Sequence, residues 1–474
     1  MSSQMQRLPG EGKRKMKERE SLGSRLGFIL LSAGCAIGIG NVWRFPYITG
    51  QYGGGFFVLI YILFLLIMGI PIITMEYSVG RASRKSILPA FRKLEPKGSH
   101  WHLWGYVAMA GNYVILMFYS VISGWLLYYF ICMVRGDFDG GDTAAIEAKF
   151  QAMMANPKIL IGSMLAVMII TTLVCAFSLQ GSVEKISKFM MIALLVIMVI
   201  LGIRAVTLPG ASKGISFYLK PDISKVTKHG ARGIWDTVYA ALNQSFFTLS
   251  IGMGGMEIYG SYIGKERSLT GEAVIVAALD TFVALVAGLI VFPACFAYGI
   301  SPDSGPSLIF LTLPRVFSTM PNGRLWGSLF FLFLFFAAES TMIGVFENDV
   351  SFSIDLKGMT RGKAALISGI VITVCSIPCA LGFNVWSGVH LLGAGKNIMD
   401  VEDFFVSTIC LPVGSLIFTL FCAQKYGWGF DNYLKEVNTG DGLKMPRRLS
   451  WYFRYVLPAL VGFLAVYGIV TYFM

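Results

Sequence analysis

Residues 31–46 read Leu-Ser-Ala-Gly-Cys-Ala-Ile-Gly-Ile-Gly-Asn-Val-Trp-Arg-Phe-Pro and lie inside an apolar run long enough to cross a bilayer. That run carries glycines at 34, 38 and 40, an amide at Asn41, a full charge at Arg44 and a proline at Pro46. In hydrocarbon every backbone N–H and C=O must be satisfied within the protein. Irregular backbone at that depth therefore survives only where it lines a cavity or is buried in protein. Small residues alone would suit a helix packed closely on a neighbour, but that reading gives Asn41 and Arg44 no purpose. The stretch predicts an interrupted membrane helix lining a polar site.

The remainder of the chain agrees with a membrane setting. Of 474 residues, 55% are hydrophobic and only 14% charged, too few charges to cover the surface of a soluble protein of this length. The formal charge of +12 does not point to nucleic acid, because the basic residues sit in short loops and in the N-terminal tail. Before Gly27 there are seven of them (Arg7, Lys13, Arg14, Lys15, Lys17, Arg19 and Arg25) against three acids, and the 81–97 loop adds Arg81, Arg84, Lys85, Arg92, Lys93 and Lys97. This positive-inside pattern places both segments in the cytoplasm, where the tail can also meet anionic lipid heads. The first apolar run has no small-residue cleavage site and is followed by ten more spans, so it is not a signal peptide. The eight cysteines sit singly in or beside apolar segments and the four histidines form no ligand motif, which argues against a disulfide scaffold or a metalloenzyme.

Eleven spans are expected, near 27–49, 54–80, 104–134, 159–178, 184–207, 236–262, 271–299, 325–355, 364–382, 401–424 and 451–473. A cytoplasmic N-terminus and an odd number of spans put the C-terminus outside. Segments 135–158 and 208–235 are then external. So is 301–323, with prolines at 302, 306, 314 and 321 and an apolar middle, Leu308 to Val316, that can dip toward the vestibule. Trp101, Trp104, Trp235, Trp326 and Trp451 fall near span ends, as interfacial anchors do. A second interruption falls in the sixth span, Asn243-Gln-Ser-Phe-Phe-Thr-Leu-Ser-Ile-Gly-Met-Gly-Gly-Met-Glu257. Broken spans at positions one and six suit a five-plus-five inverted repeat whose unwound segments build the substrate and ion sites. The expected fold is an all-α integral membrane protein. It has a cytoplasmic tail (1–26), a first repeat (27–207, helices 1–5), an external loop (208–235), a second repeat (236–424, helices 6–10), a cytoplasmic loop (425–450) and helix 11 (451–474).

Several motifs in order resemble the neurotransmitter:sodium symporter family, and within it the bacterial amino-acid transporters with the leucine-transporter fold. They are Arg25-Leu-Gly-Phe, Ala33 through Pro46, Gly53-Gly-Gly-Phe56, Gly69-Ile-Pro71, Met75-Glu-Tyr-Ser-Val-Gly-Arg81 and Gln244-Ser-Phe-Phe-Thr-Leu-Ser250. Relatives often have twelve spans, where eleven are expected here. The resemblance implies a multi-pass transporter of the cell membrane, a monomer or weak homodimer. Sodium flowing down its gradient would drive uptake of a small molecule by alternating access, with no enzyme activity and no cofactor beyond two transported Na⁺.

A free amino acid is a zwitterion, and unwound helix ends can meet both its charges with backbone N–H and C=O groups. By resemblance, the Ile39 and Gly40 N–H groups and the Tyr119 hydroxyl hold the carboxylate. The Ala36, Phe247 and Thr248 carbonyls and the Ser250 hydroxyl take the ammonium. Monoamine-carrying relatives have an aspartate where this chain has Gly38, so amino acids are favoured. The side-chain pocket is expected from Cys35, Ile115, Tyr119, Phe247, Met253, Thr341 and Val345, all of which would otherwise pass as packing residues. Met253 stands where leucine-selective relatives have phenylalanine, and its flexible thioether can repack. A preference for larger apolar or aromatic L-amino acids follows.

Sodium, a hard cation, wants several oxygens. The resemblance assigns one site to Ala36, Asn41, Thr248, Asp280 and the substrate carboxylate. It assigns the other to Gly34, Ile37, Ala337, Ser340 and Thr341. The alternative for Ser340 and Thr341 is back-bonding to their own helix. Many relatives have asparagine at the Asp280 position, and the chloride-dependent ones add a serine one turn on, where this chain has Ala284. Two Na⁺ and a zwitterion carry a net charge of +2. At roughly 7 Å and a dielectric near 20, like charges repel by about 2–3 kcal/mol. A fixed carboxylate at Asp280 would offset that repulsion and make transport chloride-independent; the alternative is a helix-to-helix hydrogen bond.

For gates the resemblance offers Arg44 with Asp403 outside, above Tyr119 and Phe247, and Arg19 with Asp355, near Tyr262, inside. Glu76 is expected to pair with backbone around the first break. Glu339 has no assigned role, and Ile192 replaces a proline that helps the fifth helix of relatives to unwind. A sodium-independent amino-acid sensor or a proton-coupled transporter on the same fold remains as an alternative. A channel would need a continuous pore, and no nucleotide-binding loop is present.

Overall fold

In the computed structural model the described residues are 19–227, 230–299, 308–393 and 395–473. The basic tail up to Lys17, and Pro302 and Pro306 of the 301–323 segment, lie outside them. The described chain is almost wholly helical, and its β pairing is limited to the bridges Gly54–Pro221 and Arg267–Asp441.

The principal helices are α1 (Arg25–Ala36), α2 (Gly40–Gln51), α3 (Gly55–Ser83), α4 (Leu103–Arg135), α5 (Pro157–Ala176) and α6 (Leu179–Val206). They continue with α7 (Gly230–Thr248), α8 (Gly255–Tyr262), α9 (Leu269–Ala297), α10 (Gly323–Lys357), α11 (Arg361–Leu381), α12 (Ile398–Ala423) and α13 (Arg447–Phe473). Among the described residues nine helices are long and apolar enough to cross a bilayer, and α1 with α2, bent by 56° between them, makes a tenth. Eleven is reached when α7 and α8, separated by residues 249–254, are taken as one broken span.

Lipid-facing stripes are legible in the exposures. Phe189, Ile192, Val196, Val199 and Ile203 recur every three or four residues on α6 and are all exposed, as are Leu59, Leu63 and Leu66 on α3 and Leu366, Ile370 and Val374 on α11. A helix apolar on its outer face is satisfied only by lipid or a partner. Ile192 thus points outward, and Lys185–Val206 is an uninterrupted α-helix. By contrast α10, with 83% of its apolar core enclosed, is the axis against which α1, α4, α5, α6 and α11 pack.

The segments between spans are more ordered than their composition suggests. Short helices occupy Ile87–Leu94, Thr143–Ala155, Ala211–Leu219, Leu313–Thr319 and Phe430–Val437. The sixth span also begins earlier than residue 236, at Gly230. Ala211–Leu219 docks on α9, with the Tyr218 hydroxyl 3.0 Å from the Leu285 carbonyl. The apolar turn Leu308–Thr312 is buried, and the Phe310 ring meets Trp43, Trp125 and Tyr129 at centroid distances of 5.6, 5.8 and 5.1 Å.

Candidate functional site

Two breaks face each other. Helical bonding in α1 ends at Ala36, where the Ile37 N–H reaches the Ala33 carbonyl, and α2 opens as a wide turn over Gly40–Arg44. Residues 249–254 part α7 from α8, with Ser250 at φ 51, Gly252 at φ 108 and Gly254 at φ 81. Left-handed backbone suits glycine and costs an L side chain more, so Ser250 is the strained member. Its hydroxyl lies 3.4 Å from the Cys35 carbonyl across the gap.

Gly38 is a glycine because nothing larger fits: a Cβ there would lie 2.2 Å from the Tyr119 hydroxyl and 2.5 Å from Thr341 Oγ1. The Ile39 N–H donates to the Tyr119 hydroxyl at 2.7 Å, and Gln244 donates to the Gly40 carbonyl at 2.9 Å. The Phe247 ring packs on Gly40. Buried N–H and C=O groups of both breaks, one phenol and one aromatic ring thus surround the same small region.

Of the set assigned to the first sodium, Asn41, Thr248 and Asp280 come together. Asn41 Nδ2 donates to Thr248 Oγ1 and to Asp280 Oδ1, both at 2.8 Å, and Thr248 Oγ1 donates to Asp280 Oδ2 at 2.9 Å. Tyr61 joins them, its hydroxyl 3.4 Å from Thr248 Oγ1. Asp280 is fully buried and makes no ion pair with a basic side chain among the described residues. For the second set, Thr341 Oγ1 lies 3.2 Å from each of the Gly34 and Ile37 carbonyls. Ser340 and Thr341 also bond back to their own helix at the Ala337 carbonyl, at 3.0 and 3.4 Å. Asn41 turns its Nδ2 to the first cluster while its Oδ1 accepts from the Gly38 N–H at 3.2 Å, so the oxygens that suit a hard cation here are carbonyls, hydroxyls and the Asp280 carboxylate. Cys35, Ile115, Met253 and Val345 are all buried, on α1, α4, the second break and α10.

The gate expectations fare differently. Arg19 Nη1 pairs with Asp355 Oδ2 at 2.9 Å, its Nε donates to Ser261 at 3.2 Å and its guanidinium lies 4.7 Å from the Tyr262 ring. Burial opposes this charge. The fields of Tyr262, Asp355, Glu257 and Glu347 outweigh it and hold Arg19 above its ordinary pKa, so it stays charged at any physiological pH. Arg44 and Asp403, expected as a pair, form no ion pair. Arg44 lies 4.2 Å over the Phe247 ring with one buried nitrogen unpartnered, and Asp403 accepts from Ser407 at 2.6 Å. The guanidinium face rests on the ring as a cation–π contact, with Asp403 near enough to act on its charge without touching it.

Glu76 also differs from expectation. Its carboxylate serves the second break, accepting from the Gly252 N–H and, at 3.1 and 3.2 Å, from those of Met256 and Glu257. Glu339 turns away from the ion residues and accepts from Thr171 on α5 at 2.7 Å.

The sequence reading missed a second layer beside Arg19. Glu347 accepts from Tyr262 at 2.6 Å and receives Arg361 on both oxygens at 2.7 and 2.9 Å, while Arg361 also pairs with Glu20. Glu184 ties down Gly23 and Ser24 at 2.8 and 2.9 Å. An acid inside an apolar span is the signal that could have found Glu347, as it found Asp280.

Comparison with known proteins decides the family. A family model described as the sodium:neurotransmitter symporter family matches residues 19–139 and 148–474. The chain belongs to that family. It is a sodium-dependent symporter with several membrane spans. It is 34% identical over 453 residues to an uncharacterized sodium-dependent transporter, YhdH, of Bacillus subtilis, covering 95% of this chain and 98% of that one. It is 26% identical over 505 residues to the sodium-dependent serotonin transporter of Drosophila melanogaster, covering 96% and 77%. Among solved structures it resembles MhsT in complex with L-phenylalanine, with a TM-score of 0.85, 36% identity and coverage of 95% and 100%. The fold is therefore that of a leucine-transporter-like symporter.

Proposed function

We propose that this symporter takes up an apolar L-amino acid, preferably one with a large or aromatic side chain, together with two Na⁺ and without chloride. It works by alternating access in the plasma membrane, as a monomer or weak homodimer, with its N-terminus in the cytoplasm and its C-terminus outside. The observation that carries the reading is the facing pair of breaks. The Ile39 and Gly40 N–H groups with the Tyr119 hydroxyl would bind a carboxylate, and the Ala36, Phe247 and Thr248 carbonyls with Ser250 an ammonium. Gly38 leaves no side-chain carboxylate to prefer an amine lacking its own acid group. The Asn41–Thr248–Asp280 cluster would hold one Na⁺ beside the substrate carboxylate, and Gly34, Ile37, Ala337, Ser340 and Thr341 the other. The phenylalanine carried by the similar MhsT structure supports the preference for a ring.

Purified protein in proteoliposomes tests this. An inward Na⁺ gradient should concentrate radiolabelled L-phenylalanine equally well in chloride and in gluconate, with L-tryptophan and L-tyrosine competing better than L-alanine. Equal uptake with K⁺ replacing Na⁺ would overturn the coupling, and competition independent of side chain would overturn the specificity.

A further inference from the structure

Glycines that let helices approach leave a recognisable mark: a Cβ built on them strikes backbone. At Gly80 it would meet the Glu257 carbonyl at 1.9 Å, at Gly105 the Leu88 Cα at 2.5 Å, and at Gly124 the Met164 nitrogen at 2.8 Å. Gly111 on α4 is different. Its Cβ would meet Met253 Sδ at 2.6 Å, then Cys410 Sγ and Cβ at 3.2 and 3.4 Å. All three are side-chain atoms, so no neighbouring backbone requires glycine there. What the missing Cβ provides is a seat for a thioether.

The seat is at the site. Gly111, Ile115 and Tyr119 follow at intervals of four on α4 and share one face. At its upper end Tyr119 takes the Ile39 N–H, and at its lower end Gly111 meets Met253 of the second break. The Met253 main chain is fixed from two sides, its carbonyl accepting from Asn112 at 3.0 Å and Asn348 at 3.4 Å. Only its side chain is free to adjust, and methionine has three rotatable bonds with which to do so. Cys410, buried in the wide turn Phe404–Cys410 of α12, closes the seat from the far side.

We infer that Gly111 and Cys410 form the recess into which the Met253 side chain withdraws, and that this recess sets how large a substrate side chain the site accepts. A Cβ at 111 pushes the thioether back toward Ile115 and takes volume from the ring of a large substrate, while a small side chain never reaches it. The inference rests on the proposed amino-acid site and names the residues that size it.

The test uses the detergent-solubilised full chain and Na⁺-dependent equilibrium binding of L-tryptophan and L-valine. Gly111→Ala should weaken tryptophan about tenfold or more while moving valine less than about twofold, the scale on which a methylene discriminates in an apolar pocket. Adding Met253→Ala to that chain should restore tryptophan, because no thioether remains to be displaced. A purely structural glycine would instead weaken both ligands together, with no relief from the second change. Cys410→Leu fills the same recess from its other wall and should give the same selective loss, which keeps the inference testable where Gly111→Ala fails to elute as a monodisperse protein. An unchanged tryptophan-to-valine ratio in Gly111→Ala or Cys410→Leu overturns this inference alone. Absence of Na⁺-dependent amino-acid binding in the unaltered protein overturns the proposed function and, with it, this recess.

Discussion

At the scale of single residues the chemistry turns on Asp280. It is fully buried, and its two oxygens are held by Asn41 at 2.8 Å and Thr248 at 2.9 Å. Both partners are residues proposed above for the same cation, and under that proposal the carboxylate is a Na⁺ ligand as well as a hydrogen-bond acceptor between helices. Asparagine is nearly isosteric and keeps one oxygen, but it removes the charge that would offset two sodium ions carried with a zwitterion. Asp280→Asn should therefore fold, yet lose Na⁺ affinity by about tenfold or more, corresponding to part of the roughly 2–3 kcal/mol that one fixed charge supplies at such distances. Measuring the Na⁺ dependence of binding in chloride and in gluconate checks it. Unchanged Na⁺ dependence in gluconate would remove Asp280 from the coupling machinery.

At the scale of elements the break between α7 and α8 needs its own stabilisation, because unwinding a helix leaves N–H groups without helical acceptors. Glu76 on α3 supplies an acceptor for three of them, those of Gly252, Met256 and Glu257. Glu76→Ala leaves buried donors unmet at about 1–3 kcal/mol each and should lower the thermal midpoint in detergent by several degrees, whereas Glu76→Gln, which keeps one acceptor, should recover part of the loss. Both breaks were legible in the sequence because glycines, an amide and charges have no other business in apolar runs. Which carboxylate served which break was not. Glu76 lies far in sequence from either, and only the approach of α3 to α8, where Gly80 touches the Glu257 carbonyl, selects the second. The same limit explains Arg44. Its charge was visible, but the choice between Asp403 and the Phe247 ring depends on side-chain direction. The helix Ala211–Leu219 was read as loop, although Gly214 and Tyr218 at i and i+4 already marked the face that docks on α9.

At the scale of the whole molecule the N-terminal segment acts as a strap. Arg19 reaches Asp355 on α10, Glu20 reaches Arg361 on α11, and Gly23 and Ser24 are held by Glu184 on α6. Adjacent residues thus bind separate helices with opposite charges and fix the start of α1; in the proposed transport cycle α1 would swing away only after these contacts part. Glu347 is fully buried, and losing Arg361 would strand its charge at a cost of about 3–5 kcal/mol, so that pair is a poor probe of opening. Arg19 is a better one, because Asp355 keeps Lys85 at 3.3 Å and the Ser86 N–H at 2.7 Å when the arginine is gone. Arg19→Ala should then shift the population toward a state open on this side by about tenfold, or about 1.4 kcal/mol. Hydrogen–deuterium exchange reads the shift directly: amides of residues 19–36 and of 179–188 should exchange faster together, with segment 308–319, packed against Trp43 and Trp125, unchanged. Saturating Na⁺ should slow that exchange again if the proposed ion site at Gly34, Ile37 and Thr341 binds best with α1 in place. Should Arg19→Ala impair transport while exchange in the strap stays at its original rate, the contact would belong to assembly or stability, and the hinge controlling release would have to lie elsewhere along α1.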